Sequence, residues 1–263
     1  MTAGRGDYQN QLQVMYNQGL FEESATQKHT LGTRRYTDDG RAFVYCQATA
    51  AAIAAGICVS KAVAAQACTI AAADAAINLA GARDITLTLT GTPTLNLYRD
   101  GTLIITAGTG IGESYKIRGN TADDIPASGR CTFQLYDKLK TTHVAASTTI
   151  DVYANPYDGV LINPAVASAA ATTQEKVLGV TTRGVTASYY FWAQTKGLCC
   201  MQLDVDAASG GEANEMWIIQ GTTQGRGLTL ANTMTPGMQV LGMLMVTADA
   251  TDAEGALVDL CID

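Results

Sequence analysis

The chain has 263 residues, of which 47% are hydrophobic and only 16% charged, and its formal net charge is −7. This length allows one large core or two smaller domains. The acidic balance argues against a nucleic-acid-binding surface, because contact with phosphates requires clustered lysine and arginine. No stretch has the pattern of a transmembrane helix or a signal peptide. We therefore expect a protein made in a cytoplasm, with neither nucleic acid nor membrane among its partners.

The seven cysteines are an odd number, and no two of them have the C-x-x-C spacing. Zinc sites need closely spaced ligand pairs, and secreted disulfide frameworks normally use an even number. We therefore predict reduced, mostly buried thiols. No cofactor site is expected.

Residues 1–32 mix glutamine, asparagine, glutamate and threonine with isolated apolar positions, without helical or strand periodicity. Such a segment is either disordered or an extended arm that becomes ordered on a partner. Arg34 and Arg35 follow directly, and they either contact an acidic neighbour or border a solvated strand edge. Both arginines are candidate interface residues.

The Asp39-Gly40 pair separates two short runs with strand character and predicts a β-hairpin, because glycine tolerates the positive φ of a tight turn. Residues 48–82 are then dominated by alanine. Propensity favours one or two helical turns over residues 48–55, ended by Gly56. Residues 57–63 favour a strand. The sequence defines this tract least.

Alternation of apolar and polar side chains predicts a further series of strands. They cover residues 85–90, 95–98, 103–105, 114–120, 130–139, 148–153 and 160–162. An Arg99-Asp100-Gly101 turn is expected to join the second to the third. The glycine-rich loop that follows the third precedes a strand, whereas a dinucleotide site requires a helix there, so we predict a hairpin loop.

Residues 165–173 carry no large side chain and predict a linker. The expected organisation is therefore an arm over residues 1–32, a β-rich domain over 33–168 and a C-terminal β-barrel or sandwich over 169–263. Short strands recur about every ten residues in the last third. They are predicted over residues 216–220, 228–230, 240–246 and 256–262. The fold class is all-β, mainly antiparallel, of barrel or sandwich type, with at most short helices.

Residues 177–206 predict a β-meander that turns at residues 183–184 and 196–197. Inside it, Phe191 and Trp192 are adjacent, so on a strand they point to opposite faces. This arrangement indicates either a core strand packed on both sides or a strand with one face against another copy. Tyr189, Phe191 and Trp192 are therefore candidate interface residues.

The sequence offers little support for catalysis. A serine or cysteine nucleophile needs a histidine base, and neither His29 nor His143 has a context that supplies one. We predict that the chain is not an enzyme, with a carboxylate-pair hydrolase as the weakest alternative.

One acidic stretch has partial resemblance to a calcium loop. Asp204, Asp206 and Glu215 match its first, third and twelfth positions. Ala208 and Ser209, however, occupy the positions that need a ligand and a glycine. A solvated acidic loop is the favoured interpretation, and the three carboxylates remain a weak metal candidate.

Several phrases in a consistent order resemble a virion protein of tailed bacteriophages that is encoded beside the major capsid protein. They are LGTRR (31–35), FVY (43–45), YKIRGN (115–120), NPYDGV (155–160) and YFWAQTKG (190–197). The resemblance implies a non-enzymatic decoration or cement protein of the capsid surface. Its partners would be the major capsid protein and copies of itself, in a trimer or other closed oligomer. It supplies no catalytic or metal residues.

Two alternatives remain open. One is a major capsid or tail-tube subunit, although the sequence shows no long helix of the kind that the capsid fold of tailed phages uses as a spine. The other is a carbohydrate-binding or adhesion module on the virion surface, which would expose Tyr98, Tyr153 and Tyr157 on one face.

Overall fold

The all-β prediction is confirmed. A computed structural model describes residues 18–62, 65–71, 74, 78–124, 128–143, 148–165, 175–204, 217–229, 239–245 and 255–262. These residues form sixteen strands and no α-helix. The strands are β1 (Arg34–Tyr36), β2 (Ala42–Gln47), β3 (Cys58–Ser60), β4 (Ala65–Thr69), β5 (Asp84–Leu89), β6 (Thr102–Ala107), β7 (Ser114–Asn120), β8 (Arg130–Leu135), β9 (Thr149–Tyr153), β10 (Leu161–Ile162), β11 (Val177–Thr181), β12 (Tyr190–Gln202), β13 (Trp217–Gln220), β14 (Gly227–Thr229), β15 (Val240–Leu244) and β16 (Gly255–Cys261).

The chain forms two compact units that are not consecutive in sequence. Val63–Asn155 forms one, here called the barrel unit, and Met1–Ala62 with Pro156–Asp263 forms the other, the sheet unit. The barrel unit is thus an insertion, because β2 and β3 pair with the later strands β12 and β11. The expected boundary near residue 170 lies outside the described residues.

The barrel unit is a closed antiparallel barrel with the strand order β4-β5-β8-β7-β6-β9. Strand alternation points one set of side chains inward, and these form a single core. Its fully buried members include Ile85, Leu87, Leu103, Ile105, Ile117, Phe133 and Leu135. The strand predicted over residues 85–90 is confirmed as β5, and the glycine-rich loop is confirmed as the β6–β7 hairpin connection.

One predicted barrel strand is wrong. Residues 95–98 form a turn, in which Asn96 has a φ of 60°, in the left-handed region and outside the β region. The side chain of Asn120 stabilises this turn, since its Oδ1 accepts a hydrogen bond from the Tyr98 backbone N–H at 2.9 Å. The apolar spacing of Leu95 and Leu97 suggested a strand, but both side chains are exposed.

The sheet unit contains a ten-stranded antiparallel sheet. Its main path is β10-β3-β11-β12-β16-β15-β13-β14, and β2 joins it by pairing with both β1 and β12. The Asp39-Gly40 hairpin is confirmed between β1 and β2, with Gly40 at a φ of 84°.

The helical turns predicted over residues 48–55 are wrong. Ala48 and Ile53 instead form isolated β-bridges with Val160 and Val185. Alanine propensity is worth only tenths of a kcal/mol per residue, so tertiary pairing overrides it. The predicted strand over residues 57–63 is present in shorter form as β3.

The predicted turn at Lys196-Gly197 is also wrong, because β12 continues through it for thirteen residues. The register against β2 shifts between Gln194 and Lys196, and Gly197 has a φ of 81°. A glycine in this conformation inside a strand forms a β-bulge, which bends the strand without ending it. The bulge lies where β12 passes from its pairing with β2 to its pairing with β16.

Phe191 and Trp192 point to opposite faces of β12, as predicted. Phe191 packs with Val44 and Ile53 on one face, and Trp192 packs with Phe43 and Tyr45 on the other. This part of the sheet is therefore packed on both sides.

Candidate interaction surface

The five candidate interface residues lie in different environments. Phe191 and Trp192 are each only 1% exposed in the single chain, so they are core residues of this chain. Arg35 is also buried, and Tyr189 is half-buried. Among the five, only Arg34 has an exposed side chain.

Arg35 fastens the N-terminal segment to the sheet. Its Nη1 donates a hydrogen bond to the backbone oxygen of Gln18 at 3.2 Å, and its guanidinium lies 5.9 Å from the centre of the Trp192 ring. The Trp192 indole N–H donates to the same oxygen at 3.3 Å. Residues 18–32, the described part of the predicted arm, therefore contact their own chain.

Gln18 is the main polar anchor of this segment, and it is 97% removed from solvent. Its Oε1 accepts a hydrogen bond from the Tyr45 hydroxyl at 2.7 Å. Its Nε2 donates to the backbone oxygens of Glu22 and Tyr190, both at 2.9 Å. Sequence reasoning missed Gln18, because a buried glutamine is unmarked in a segment rich in polar residues.

The weak metal candidate is only partly described. Asp206 and Glu215 lie outside the described residues. The carboxylate of Asp204 accepts hydrogen bonds from the Thr222 hydroxyl and the Thr223 N–H, and it lies 3.8 Å from Arg226 Nη1. Across the described ranges, no group of three histidine, cysteine or acidic side chains is placed to hold a metal ion.

The barrel unit contains a cluster of ionisable side chains around Glu113. The hydroxyls of Tyr115 and Thr141 both donate to its carboxylate. His143 is fully buried, with Nδ1 3.2 Å from the Thr109 oxygen and Nε2 3.8 Å from Glu113 Oε2. Burial and the Glu113 carboxylate raise the pKa of Tyr115 to about 12. These hydrogen bonds hold the β6–β7 loop in place. Both hydroxyl groups use their protons in the hydrogen bonds to Glu113.

The carbohydrate-binding alternative required three exposed tyrosines on one face. Tyr98 is buried in the barrel core, where its ring packs 5.7 Å from that of Phe133. It therefore cannot present a sugar-stacking surface. Tyr153 is half-buried in the barrel unit, and Tyr157 belongs to the sheet unit.

Four exposed large apolar side chains of the sheet unit lie together on one side of four neighbouring strands. Directly opposite residues of an antiparallel pair point to the same face, so the strand registers define the set. We call this set the outer face. It consists of Lys196, Leu198, Cys200, Trp217, Met243, Met245, Leu257, Asp259 and Cys261.

The outer face is built in rows that cross the strands. Leu198 pairs with Asp259, Asp259 with Met243, and Met243 with Trp217. In the next row, Cys200 pairs with Leu257. A cleft of about 370 Å³ lies beside Leu198 and Cys200.

Exposure on this face is high for apolar residues. Leu198, Trp217 and Met245 are 50–54% exposed, and Leu257 is 41% exposed. The opposite side of the same strands packs into the core, with Met201, Val258 and Leu260 fully buried in one cluster. A sheet with one buried face normally carries polar side chains on the other, so the outer face departs from that pattern.

The cysteines follow the same division. All seven are free, and Cys200 and Cys261 are the two exposed ones, both on the outer face. Burial raises the pKa of the Cys58 and Cys199 thiols to about 12. The prediction of mostly buried thiols is therefore confirmed, because five of the seven are buried.

Within the described parts of the chain, no helix is long and apolar enough to span a membrane. Protein-family models, curated protein sequences and solved structures were all compared with the chain, and none gives a significant match.

Proposed function

We propose that the chain is a structural protein of a tailed-phage particle, which decorates or cements the capsid through contacts with the capsid and with its own copies. Two independent observations support this. One is the resemblance of several sequence phrases to a capsid-associated virion protein. The other, which carries the structural argument, is the outer face.

The outer face supports a role in protein contact for a physical reason. Apolar side chains that are half exposed in a single chain gain free energy when a partner removes them from water, at about 25 cal/mol per Å². Contiguous exposed apolar patches on soluble proteins commonly mark interaction sites. Leu198, Trp217, Met245 and Leu257 form such a patch on four adjacent strands.

Repetition strengthens modest contacts. A subunit that touches both a capsid lattice and a neighbouring copy binds with an effective concentration set by geometry, so its avidity exceeds that of either contact alone. The chain's low content of charged residues, 16%, suits repeated side-by-side packing. The part of the arm that precedes the Gln18 anchor, residues 1–17, is a second contact candidate.

Co-sedimentation with capsids tests the proposal. The purified chain is mixed with undecorated capsids assembled from the major capsid protein encoded beside it, and bound chain is quantified in the pellet. We expect saturable binding with a fixed number of copies per capsid. The absence of co-sedimentation, together with the absence of the chain from purified virions by mass spectrometry, would contradict the proposal.

A truncation separates the contribution of the arm. Deleting residues 1–17 retains Gln18 and its hydrogen bonds to Tyr45 and Tyr190, so the sheet unit should stay folded. If the arm contacts the capsid, the truncated chain binds more weakly while its thermal unfolding is unchanged. Equal binding by both chains would remove the arm from the interface.

A further inference from the structure

We infer that the outer face binds a second copy of this chain, with the two sheets packed face to face about a two-fold axis. The inference rests on the proposed function, since it assigns a partner to the surface that supports that function. Its evidence is the distribution of charge and apolar area on the face.

The charge on the face is balanced although the chain as a whole is acidic. The formal net charge of −7 makes two copies repel one another on average. The outer face, however, carries one cation, Lys196, and one anion, Asp259, both exposed. A second copy can therefore approach this surface without net repulsion.

The positions of the two charges are self-complementary. Lys196 pairs across the strands with Cys261, and Asp259 pairs with Leu198, so the two charged residues are diagonal neighbours on the same face. A two-fold contact places residue i of one copy against residue j of the other, and j against i. When the two-fold axis passes between these two residues, Lys196 of each copy meets Asp259 of the other, which gives two ion pairs close to the axis, beside Leu198.

The apolar residues fit sheet-on-sheet packing. Leu198 lies on β12, Leu257 on β16 and Met245 directly after β15, with Trp217 at the other side of the face on β13. Facing sheets pack about 10 Å apart with their side chains interdigitated. Leucine, methionine and tryptophan fill such a layer, and tryptophan is a frequent source of binding energy in interfaces.

The size of the face sets the expected strength. Four strands at a spacing of about 4.8 Å extend about 15 Å between the outermost strand axes. Along β12 the face runs from Lys196 to Cys200, about 13 Å at about 3.3 Å per residue, so it covers on the order of a few hundred Å². That area is small beside the roughly 800 Å² per partner that stable complexes bury. We therefore expect a dimer that dissociates on dilution, and that becomes more populated where a lattice holds copies close together.

Sedimentation velocity over a dilution series is the primary test, with the purified chain and no capsid present. We expect a reversible monomer–dimer equilibrium. Leu198→Glu on the face should raise the dissociation constant by at least about tenfold. Ile111→Glu is the matched control, because Ile111 is 69% exposed but lies in the barrel unit, and it should have no effect. Unchanged circular dichroism shows that both variants are folded.

A charge exchange tests the identity of the partner. Lys196→Glu places like charges together in the two-fold dimer and should weaken it by about tenfold. Adding Asp259→Lys restores opposite charges and should recover the dimer. Only a second copy of the same chain is rescued in this way, so lack of rescue overturns the two-fold arrangement.

The alkylation rates of the two exposed thiols report whether the outer face is covered. Cys200 and Cys261 should react with a small alkylating reagent more slowly as the protein concentration rises, because dimerisation covers them. Slow alkylation that is independent of concentration would mean that the same chain covers the face, which overturns the inference.

The outcomes separate the inference from the proposed function. A chain that dimerises through the face but does not sediment with capsids supports the inference and contradicts the proposed function. A chain that stays monomeric at concentrations on the order of 0.1 mM, but loses capsid binding on Leu198→Glu, assigns the face to the capsid. That result overturns the inference and leaves the proposed function standing.

Discussion

The barrel unit and the sheet unit are built from the same alternating strands but present different chemistry to solvent. The outward positions of β7 in the barrel are Ser114, Lys116 and Arg118, whereas those of β16 in the sheet unit include Leu257 and Cys261. The barrel strands close on one another, so none of them is an edge. Strand pairing is thus closed within the barrel unit, while four neighbouring strands of the sheet unit share an exposed apolar surface.

The separate cores give the largest expected effect. The barrel core lies wholly within Val63–Asn155, and the other core clusters lie wholly outside that range. Phe133→Ala empties a fully buried position in the barrel and should cost about 3–5 kcal/mol of unfolding free energy. Both tryptophans belong to the sheet unit, so tryptophan fluorescence reports on that unit and circular dichroism on both.

We therefore expect Phe133→Ala to shift the denaturant midpoint seen by circular dichroism, with little change in the fluorescence midpoint. The neighbouring exposed Gln134→Ala is the control, and its effect should stay within about 0.5 kcal/mol. An equal shift of both midpoints would show that the two units unfold as one. The two cores would then not contribute separately to the stability of the chain.

Each unit has a buried amide side chain that bonds to the backbone, and Asn78 and Gln18 form a matched pair. Asn78 exchanges two hydrogen bonds with the backbone of Thr86 in the barrel, at 3.0 and 2.9 Å. Gln18 makes three side-chain bonds in the sheet unit. Replacing either by alanine leaves buried polar groups without partners, at about 1–3 kcal/mol.

The two substitutions should destabilise different units. Gln18→Ala should lower the fluorescence midpoint, because Gln18 and both tryptophans belong to the sheet unit, whereas Asn78→Ala should lower only the midpoint seen by circular dichroism. If Gln18→Ala leaves the fluorescence midpoint unchanged, residues 18–32 contribute nothing to the stability of the sheet unit.

Much of the strand pattern could be predicted from the sequence, because one-sided burial imposes a period of two. β5 and β7 follow this pattern, and the opposite orientations of Phe191 and Trp192 follow from the same period. The errors arose where long-range pairing decides the structure. Residues 48–55 have helical propensity but bridge to Val160 and Val185.

The insertion of the barrel unit could not be predicted from the sequence, because it depends on pairing between β2 and β12 across more than a hundred residues. The outer face did leave a sequence signal. The stretches LCCM in β12 and ALVDLC in β16 are apolar at both odd and even positions, which indicates a strand whose two faces are both apolar. This pattern predicts Leu198 and Leu257 as interface residues in place of the buried Phe191 and Trp192.

The smallest expected effect is a pH dependence confined to the sheet unit. His29 packs against Tyr45 and Trp192, with ring centroids 5.1 and 5.3 Å apart. Burial and then the nearby charge of Arg35 lower the pKa of His29 from its ordinary value of 6.5. The folded state therefore binds a proton less readily than the unfolded state, and stability rises with pH across this window.

We accordingly expect the fluorescence midpoint to be constant above pH 6.5 and to fall as the pH is lowered below it, towards the lowered pKa of the folded state. The measurement is a denaturant titration at several pH values between 5 and 8, where carboxylates stay ionised. His29→Gln should remove the slope, while His143→Gln, in the barrel unit, should keep it. If the fluorescence midpoint of His29→Gln still falls as the pH is lowered, a group other than His29 titrates. The packing of residues 18–32 against the sheet would then not depend on the protonation of His29.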